Sequence, residues 1–158
     1  MNDPFGKICL QADLSLRLES LEKPLVFTNG VFDILHRGHV NYLFQASKLG
    51  KSLILALNSD VSVKMLGKGP SRPLNNAEDR AYVLAGLSSV TLVTFFDEIT
   101  PIELIKKLKP DLYVKGGDYD VEKLEESRIV RSWGGDSVAL PFVDGYSTTN
   151  LVHRIKSF

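Results

Sequence analysis

A single cysteine, Cys9, stands in 158 residues, which rules out an internal disulfide framework and a cysteine-based zinc cluster and fits a reducing compartment. Excess charge of either sign is also missing. Nineteen Lys and Arg face 19 Asp and Glu, so composition gives no general attraction to nucleic acid or to an anionic membrane. Any affinity for anions has to come from a local site. No uncharged apolar run on the order of 18 residues occurs, and the N-terminal MNDPFGKICLQADLS has no basic region followed by a long apolar one, so neither a transmembrane helix nor a signal peptide is expected. The expectation is a soluble cytoplasmic protein with no membrane and no nucleic-acid partner. Internal repeats and low-complexity tracts are absent as well. What is present is 44% hydrophobic residues, enough to bury the core of one domain.

Short β-branched apolar runs alternate with segments of helical periodicity, the pattern of βαβ units feeding a parallel sheet. Strands are predicted at Leu25–Thr28, Leu53–Asn58, Val90–Phe95, Leu112–Lys115 and Ser137–Pro141, and helices at about His39–Leu49, Asn76–Leu87, Pro101–Leu108, Val121–Ser132 and Ser147–Lys156. The fold class is therefore α/β: a Rossmann-like open parallel sheet of about five strands with helices on both faces. Residues 1–23 read as an N-terminal helical extension, with Leu10, Leu14, Leu18 and Leu21 on one face, packing on the domain or on another subunit. Residues 24–158 read as the domain proper.

In an open parallel sheet ligands bind beyond the carboxyl ends of the strands. The segments there read Asn29–Gly38, Ser59–Pro73, Phe96–Thr100, Gly116–Tyr119 and Phe142–Thr149, and they hold the unusual letters TNGVFDILHRGH, SDVSVKMLGKG, KGGDY and DGYSTT. His36 and His39 are the centre of interest. As a zinc pair they lack a third ligand at a recognised spacing. As part of a nucleophilic triad they lack a G-x-S-x-G elbow, and Cys9 lies outside the expected core. Two readings stay open: core or capping histidines, or donors at the start of a helix whose free N–H groups face a phosphate, with Gly38 letting the backbone approach.

The order Asn29-Gly-x-Phe-Asp33, then Leu35-His-x-Gly-His39, then a helix, with Ser147-Thr148-Thr149 at the start of the last helix, resembles the two signatures of the HxGH nucleotidyltransferases, the cytidylyl- and adenylyltransferases. Within that superfamily FTNGVFDILHRGHVNYL, NSDVSVKMLGKGPSRPLN, EDRAYVLAGL and VKGGDY resemble the adenylyltransferases that form ADP-heptose from ATP and D-glycero-β-D-manno-heptose 1-phosphate. The resemblance covers nearly everything from Leu25 onward. The length leads to the expectation of the stand-alone form rather than one fused to a kinase. Where related glycerol-phosphate cytidylyltransferases carry an arginine before the second signature, Phe142-Val143-Asp144 stands here. Other small phosphate acceptors and a non-catalytic nucleotide-binding domain are the alternatives.

The resemblance implies partners and roles. ATP and a sugar phosphate are the expected partners, and a homodimer is one option in an oligomeric state that the sequence leaves open. Mg2+ is expected as a companion of the ATP phosphates, with no metal held by protein ligands alone. His36 and His39 would line the α- and β-phosphates and Lys64 would lie over them as the third catalytic group. Thr28, Asn29, Gly30, Phe32, Gly38, Arg80, Lys115, Gly117, Asp118 and Tyr119 would bind the nucleotide, and Ser147, Thr148 and Thr149 its β- and γ-phosphates. Asp33, Asp60 and Lys68 would face the acceptor, with Arg72 in the same basic loop. Asp33 has an alternative task, capping a turn, and Arg80 has one in a helix-surface salt bridge.

Overall fold

The computed structural model describes residues 4–158, so the first three residues of the N-terminal extension lie outside the described residues. Five strands, β1 (Leu25–Gly30), β2 (Ser52–Asn58), β3 (Leu92–Phe96), β4 (Leu112–Gly116) and β5 (Asp136–Leu140), form one sheet in the order β3-β2-β1-β4-β5. Every pairing is parallel, so each connection must cross over the sheet. The helices are α1 (Leu14–Leu18), α2 (Arg37–Ser47), α3 (Asp60–Met65), α4 (Ala77–Ala85), α5 (Ile102–Leu108), α6 (Glu125–Arg131) and α7 (Thr148–Lys156), with short 3-10 turns at Pro4–Lys7 and Val121–Lys123.

Alternation along the strands divides the core in two. Leu25, Phe27, Ile54, Ala56, Leu92 and Tyr113 point to one face, where Leu14 of α1, Leu104, Ile105 and Leu108 of α5 and Val130 of α6 cover them. Val26, Leu53, Leu55, Leu57, Val93 and Val114 point to the other, under Tyr42, Leu43 and Ala46 of α2 and Ala81, Leu84 and Ala85 of α4. A strand covered on both faces has no polar side to show, and all seven residues of β2 are buried.

Three elements differ from expectation. α3 interrupts the stretch read as a loop after β2; at six residues it is too short to give a periodic signal, although Ser59 caps it by accepting from the Ser62 N–H at 3.2 Å. The helix expected over 121–132 is split, because Leu124 is extended (ψ 135°) between a 3-10 turn and α6. Among its described residues the N-terminal extension is α-helical only at Leu14–Leu18, and its inward leucines serve this domain: Leu14 is wholly buried and Leu18 and Leu21 pack on the same cluster, while Leu10 is exposed. Before it, the chain lies along the outer edge of β3, where the Cys9 N–H donates to the Val93 carbonyl at 2.9 Å and the Gln11 amide to that of Phe95 at 2.9 Å. Cys9, expected outside the core, is buried in it, and burial pushes its thiol pKa up.

The loops at the carboxyl ends of β1 and β2 are held by one arginine. Arg80 of α4 has no exposed side-chain surface. Its Nε donates to the Asn75 carbonyl at 2.9 Å, Nη1 to the carbonyls of Val31 (2.7 Å) and Asn58 (2.9 Å), and Nη2 to Asp60 Oδ1 at 2.8 Å. It thus ties the end of β1, the end of β2, the start of α3 and the approach to α4 to a single planar group. Arg80→Met keeps the stem and removes the guanidinium, leaving three carbonyls without their donor and Asp60 without its partner, and should cost about 3–5 kcal/mol. Urea unfolding of parent and variant measures this; an unchanged midpoint would remove the clamp from the account.

Candidate active site

Strand order reverses between β1 and β4, since β1 leads outward to β2 and β3 while β4 leads the other way to β5. The crossovers leave a crevice there, and a cavity of 610 Å³ opens at the carboxyl ends of these two strands. Four segments distant in sequence line it. Asn29, Gly30, Val31, Phe32 and Asp33 come from the end of β1, Val63, Lys68 and Arg72 from α3 and the loop after it, Lys115, Gly116 and Tyr119 from the end of β4, and Phe142, Thr148 and Thr149 from beyond β5; His39 and Tyr42 reach in from α2. The segment after β3, expected at the same edge, does not contribute, because β3 is the outer strand and lies about 10 Å from β1.

The HRGH turn has a defined construction. His36 is the N-cap of α2 in extended backbone, and its Nδ1 accepts from the His39 N–H at 3.4 Å. The two imidazoles stack with centroids 3.7 Å apart, and Phe32, held at φ 47°, tilts against His39 at 5.0 Å. Because Nδ1 of His36 is an acceptor, the proton of the neutral ring sits on Nε2. That nitrogen and Nδ1 of His39 are buried without a hydrogen-bond partner, a costly state for polar atoms. Burial, reinforced by His36 and opposed by a hydrogen bond with the Ile34 backbone, lowers the His39 pKa from 6.5 to about 4; burial lowers that of His36 as well. Both rings are therefore neutral at neutral pH.

Gly38 serves packing more than backbone approach: a Cβ there would stand 3.0 Å from the His36 ring and 3.1 Å from Tyr146 Cβ. Tyr146, one residue before the Ser-Thr-Thr run, also lies beside His36 (centroids 6.4 Å) and under the Arg37 guanidinium (5.7 Å). It sets the start of α7 against the start of α2. Ser147 caps α7 by accepting from the Asn150 N–H at 3.1 Å, leaving Thr148 and Thr149 to line the cavity.

Positive charge gathers here although the chain is neutral overall. Lys68, Arg72 and Lys115 all line the cavity. Burial, with the nearby charge of Lys68, lowers the Lys115 pKa against the raising effect of Glu126, and its Nζ lies 5.5 Å from the centre of the Tyr119 ring. Gly117 turns the chain after β4 at φ 111°, which favours glycine, and its N–H donates to the Leu140 carbonyl at 2.8 Å. Below the cavity Thr28 Oγ1 and Tyr42 Oη are 2.6 Å apart, Tyr42 donates to the Val114 carbonyl at 3.1 Å, and Tyr113 Oη donates to Asn29 Oδ1 at 3.1 Å.

Several residues expected in the site are elsewhere or otherwise engaged. Lys64 leaves the last turn of α3 on its exposed side and does not line the cavity; its neighbour Val63 does, and the lysine in reach is Lys68. Arg80 and Asp60 are paired with each other, and the buried Arg80 guanidinium is out of a ligand's reach. Asp118 is exposed beyond the cavity, and Thr28 is buried beneath it. Asp33 lines the cavity but its carboxylate is bound by the basic loop. Sequence reasoning passed over Tyr42 and Phe142. Tyr42 stands three residues after His39, on the same helical face, and that spacing was the available signal.

The cytidylyltransferase-like family model matches residues 27–154. A D-beta-D-heptose 1-phosphate adenylyltransferase from Bordetella bronchiseptica is 56% identical over 153 residues, covering 96% of this chain and 94% of that protein. The bifunctional protein HldE of Syntrophotalea carbinolica is 53% identical over 166 residues, and the chain spans about a third of the length of such bifunctional relatives (34% and 32% in two of them). Among solved structures, a lipopolysaccharide core biosynthesis protein from Thermoplasma volcanium has a TM-score of 0.63 at 26% identity, covering 78% of this chain and 98% of that one. Pantothenate synthetase from Thermus thermophilus, at 15% identity and a TM-score of 0.62, shares the fold alone. With the HRGH turn, the Ser-Thr-Thr helix start and the switch-point cavity in one place, the chain belongs to the cytidylyltransferase-like family of nucleotidyltransferases.

Proposed function

We propose that this chain transfers the adenylyl group of ATP to D-glycero-β-D-manno-heptose 1-phosphate, giving ADP-heptose and pyrophosphate for lipopolysaccharide core synthesis. The observation that carries the reading is the 56% identity, over nearly the full length of both chains, to a heptose 1-phosphate adenylyltransferase. The cavity supports it chemically. A sugar-phosphate oxygen, already anionic, attacks the α-phosphorus in line and pyrophosphate leaves, so the protein's work is alignment and charge stabilisation. His39 lines the cavity as a neutral donor to oxygens that gain charge, with His36 stacked behind it. Lys68, Arg72 and Lys115 offset the polyphosphate charge, and Thr148 and Thr149 offer hydroxyls and free N–H groups of α7 to the leaving phosphates.

Mg2+ belongs to this reading as a companion of the triphosphate. Among the described residues no three His, Cys, Asp or Glu side chains stand together to hold a metal, and the cavity's Asp33 is bound by Arg72. The ion fits through phosphate and water oxygens, where it neutralises charge. Residues 24–158 form the catalytic domain in this reading, and residues 1–23 its accessory cover. No helix among the described residues is long and apolar enough to cross a membrane, and a cytoplasmic location goes with the water-soluble substrates. A homodimer would have to use surfaces other than Leu14, Leu18 and Leu21, which are turned inward.

Incubating the protein with ATP and the heptose 1-phosphate and following pyrophosphate tests the reaction directly; no release with this pair, or faster release with CTP, rejects it. His39→Ala should lower kcat by about 10²–10³-fold while the protein still folds, and undiminished turnover would refute the role given to the ring. Acid supplies a second check. Because the folded-state pKa of His39 is about 4 against 6.5 for the free imidazole, the unfolded chain takes the proton first as pH falls. The stability linked to this group is therefore complete above about 6.5 and drains as pH falls toward about 4. Urea midpoints across that range should fall less steeply in His39→Asn than in the parent; equal slopes would show that His39 is not the buried neutral group.

A further inference from the structure

Asp33 stands in the cavity wall, where a carboxylate would repel phosphates, yet it is 5% exposed and both its oxygens are occupied. Oδ1 accepts from the backbone N–H groups of Leu74 (2.8 Å) and Asn75 (3.0 Å), and Oδ2 from Arg72 Nη1 (2.7 Å) and the Leu74 N–H (3.0 Å). In return the Asn75 side-chain amide donates to the Asp33 carbonyl at 2.8 Å. Burial alone would raise this carboxyl's pKa, but the N–H groups of Asn75 and Leu74 and the Arg72 guanidinium together hold it below the usual carboxylate value. It is an anion with its charge fully used.

The bonds all go to one end of the basic loop. Just beyond them Asn76 caps α4 and Arg80 holds the Asn75 carbonyl, so the stretch from Arg72 to Asn76 is fixed to the body. The other half, Gly67–Ser71, is exposed, and Gly67 (φ 64°) and Gly69 (φ 105°) have nothing within 4 Å of where a Cβ would stand. Lys68 lies in this loose half and still lines the cavity beside Arg72. On one side the Gly67 N–H donates to the Lys64 carbonyl of α3 (3.3 Å), and on the other the Arg72 N–H donates to the Gly69 carbonyl (3.2 Å), so the direction in which Lys68 points depends in part on the fixed end.

We propose that Asp33 is a positioning residue for nucleotidyl transfer: without touching substrate, it latches the basic loop so that Arg72 and Lys68 present their charges to the anions in the cavity. The role of those anions rests on the reaction proposed above; the latch itself does not. Asp33→Asn removes the charge and replaces one of two acceptor oxygens by an NH2 that must face a donor, whichever way the amide turns, Arg72→Gln removes the other partner, and Arg72→Lys keeps the charge.

Trypsin reads the loop without any substrate, through cleavage at Lys68–Gly69. Asp33→Asn and Arg72→Gln should each speed that cleavage by about ten-fold, the double variant should be no faster than the faster single within about two-fold, and Arg72→Lys should stay within about three-fold of the parent. With substrates, both single variants should raise KM by about ten-fold or more while lowering kcat less. The proposal is overturned if Asp33→Asn loses turnover with loop cleavage unchanged, which would mean direct contact with substrate, or if the two substitutions act additively. Should Asp33→Asn fail to fold, Arg72→Gln alone decides, because Arg72 stands on the loop with its side chain partly exposed, whereas Asp33 is buried: unchanged cleavage rejects the latch. A protein that shows the cleavage pattern but no ADP-heptose formation would keep the latch and lose the reaction.

Discussion

One buried guanidinium holds the mouth of this domain together. Where parallel strands run out into loops, the carbonyls beyond the ladder lack strand partners. Arg80 collects two of them, from Val31 and Asn58, with the Asn75 carbonyl and the Asp60 carboxylate. Loops that would otherwise be independent thereby share one rigid reference. The HRGH turn begins five residues after Val31, and the basic loop ends at Asn75. Both are placed relative to each other through Arg80 before any ligand is considered.

On that frame the site solves an electrostatic problem without a charged catalytic ring. Three cations surround the cavity, one carboxylate in its wall is neutralised by internal bonds, and the histidines are kept uncharged by burial. A neutral imidazole can still donate a hydrogen bond. In the proposed reaction the fixed charges would hold the substrates, while the imidazoles would contribute where charge increases during transfer.

Much of this was legible in the letters. β-Branched runs gave the five strands, and the positions after β1, β4 and β5 gave the residues around the cavity, including Asn29, His39, Lys115 and Thr148. What escaped was pairing at long range. Nothing in AEDRAYVL says that its arginine will be buried under carbonyls 22 and 49 positions away, and nothing in NGVFD says that its aspartate will be claimed by a backbone 41 and 42 positions on. Charged residues in a motif invite a ligand reading because ligands are charged; whether a protein group gets there first is decided by the tertiary fold. Lys64, expected over the phosphates, stands on the exposed side of a six-residue helix after β2 too short to give a periodic signal, and Lys68 is the lysine beside the cavity.

The N-terminal extension also has a meaning for how the sheet meets the outside. An uncovered strand edge is a template on which other strands can pair. Here Ile8, Cys9 and Gln11 occupy the free side of β3, and among the described residues no strand pairs with the far side of β5. A sheet sealed on one flank can be extended in one direction only. A strand added to this sheet would have to pair with β5, whose chain runs directly into the Phe142 wall of the cavity.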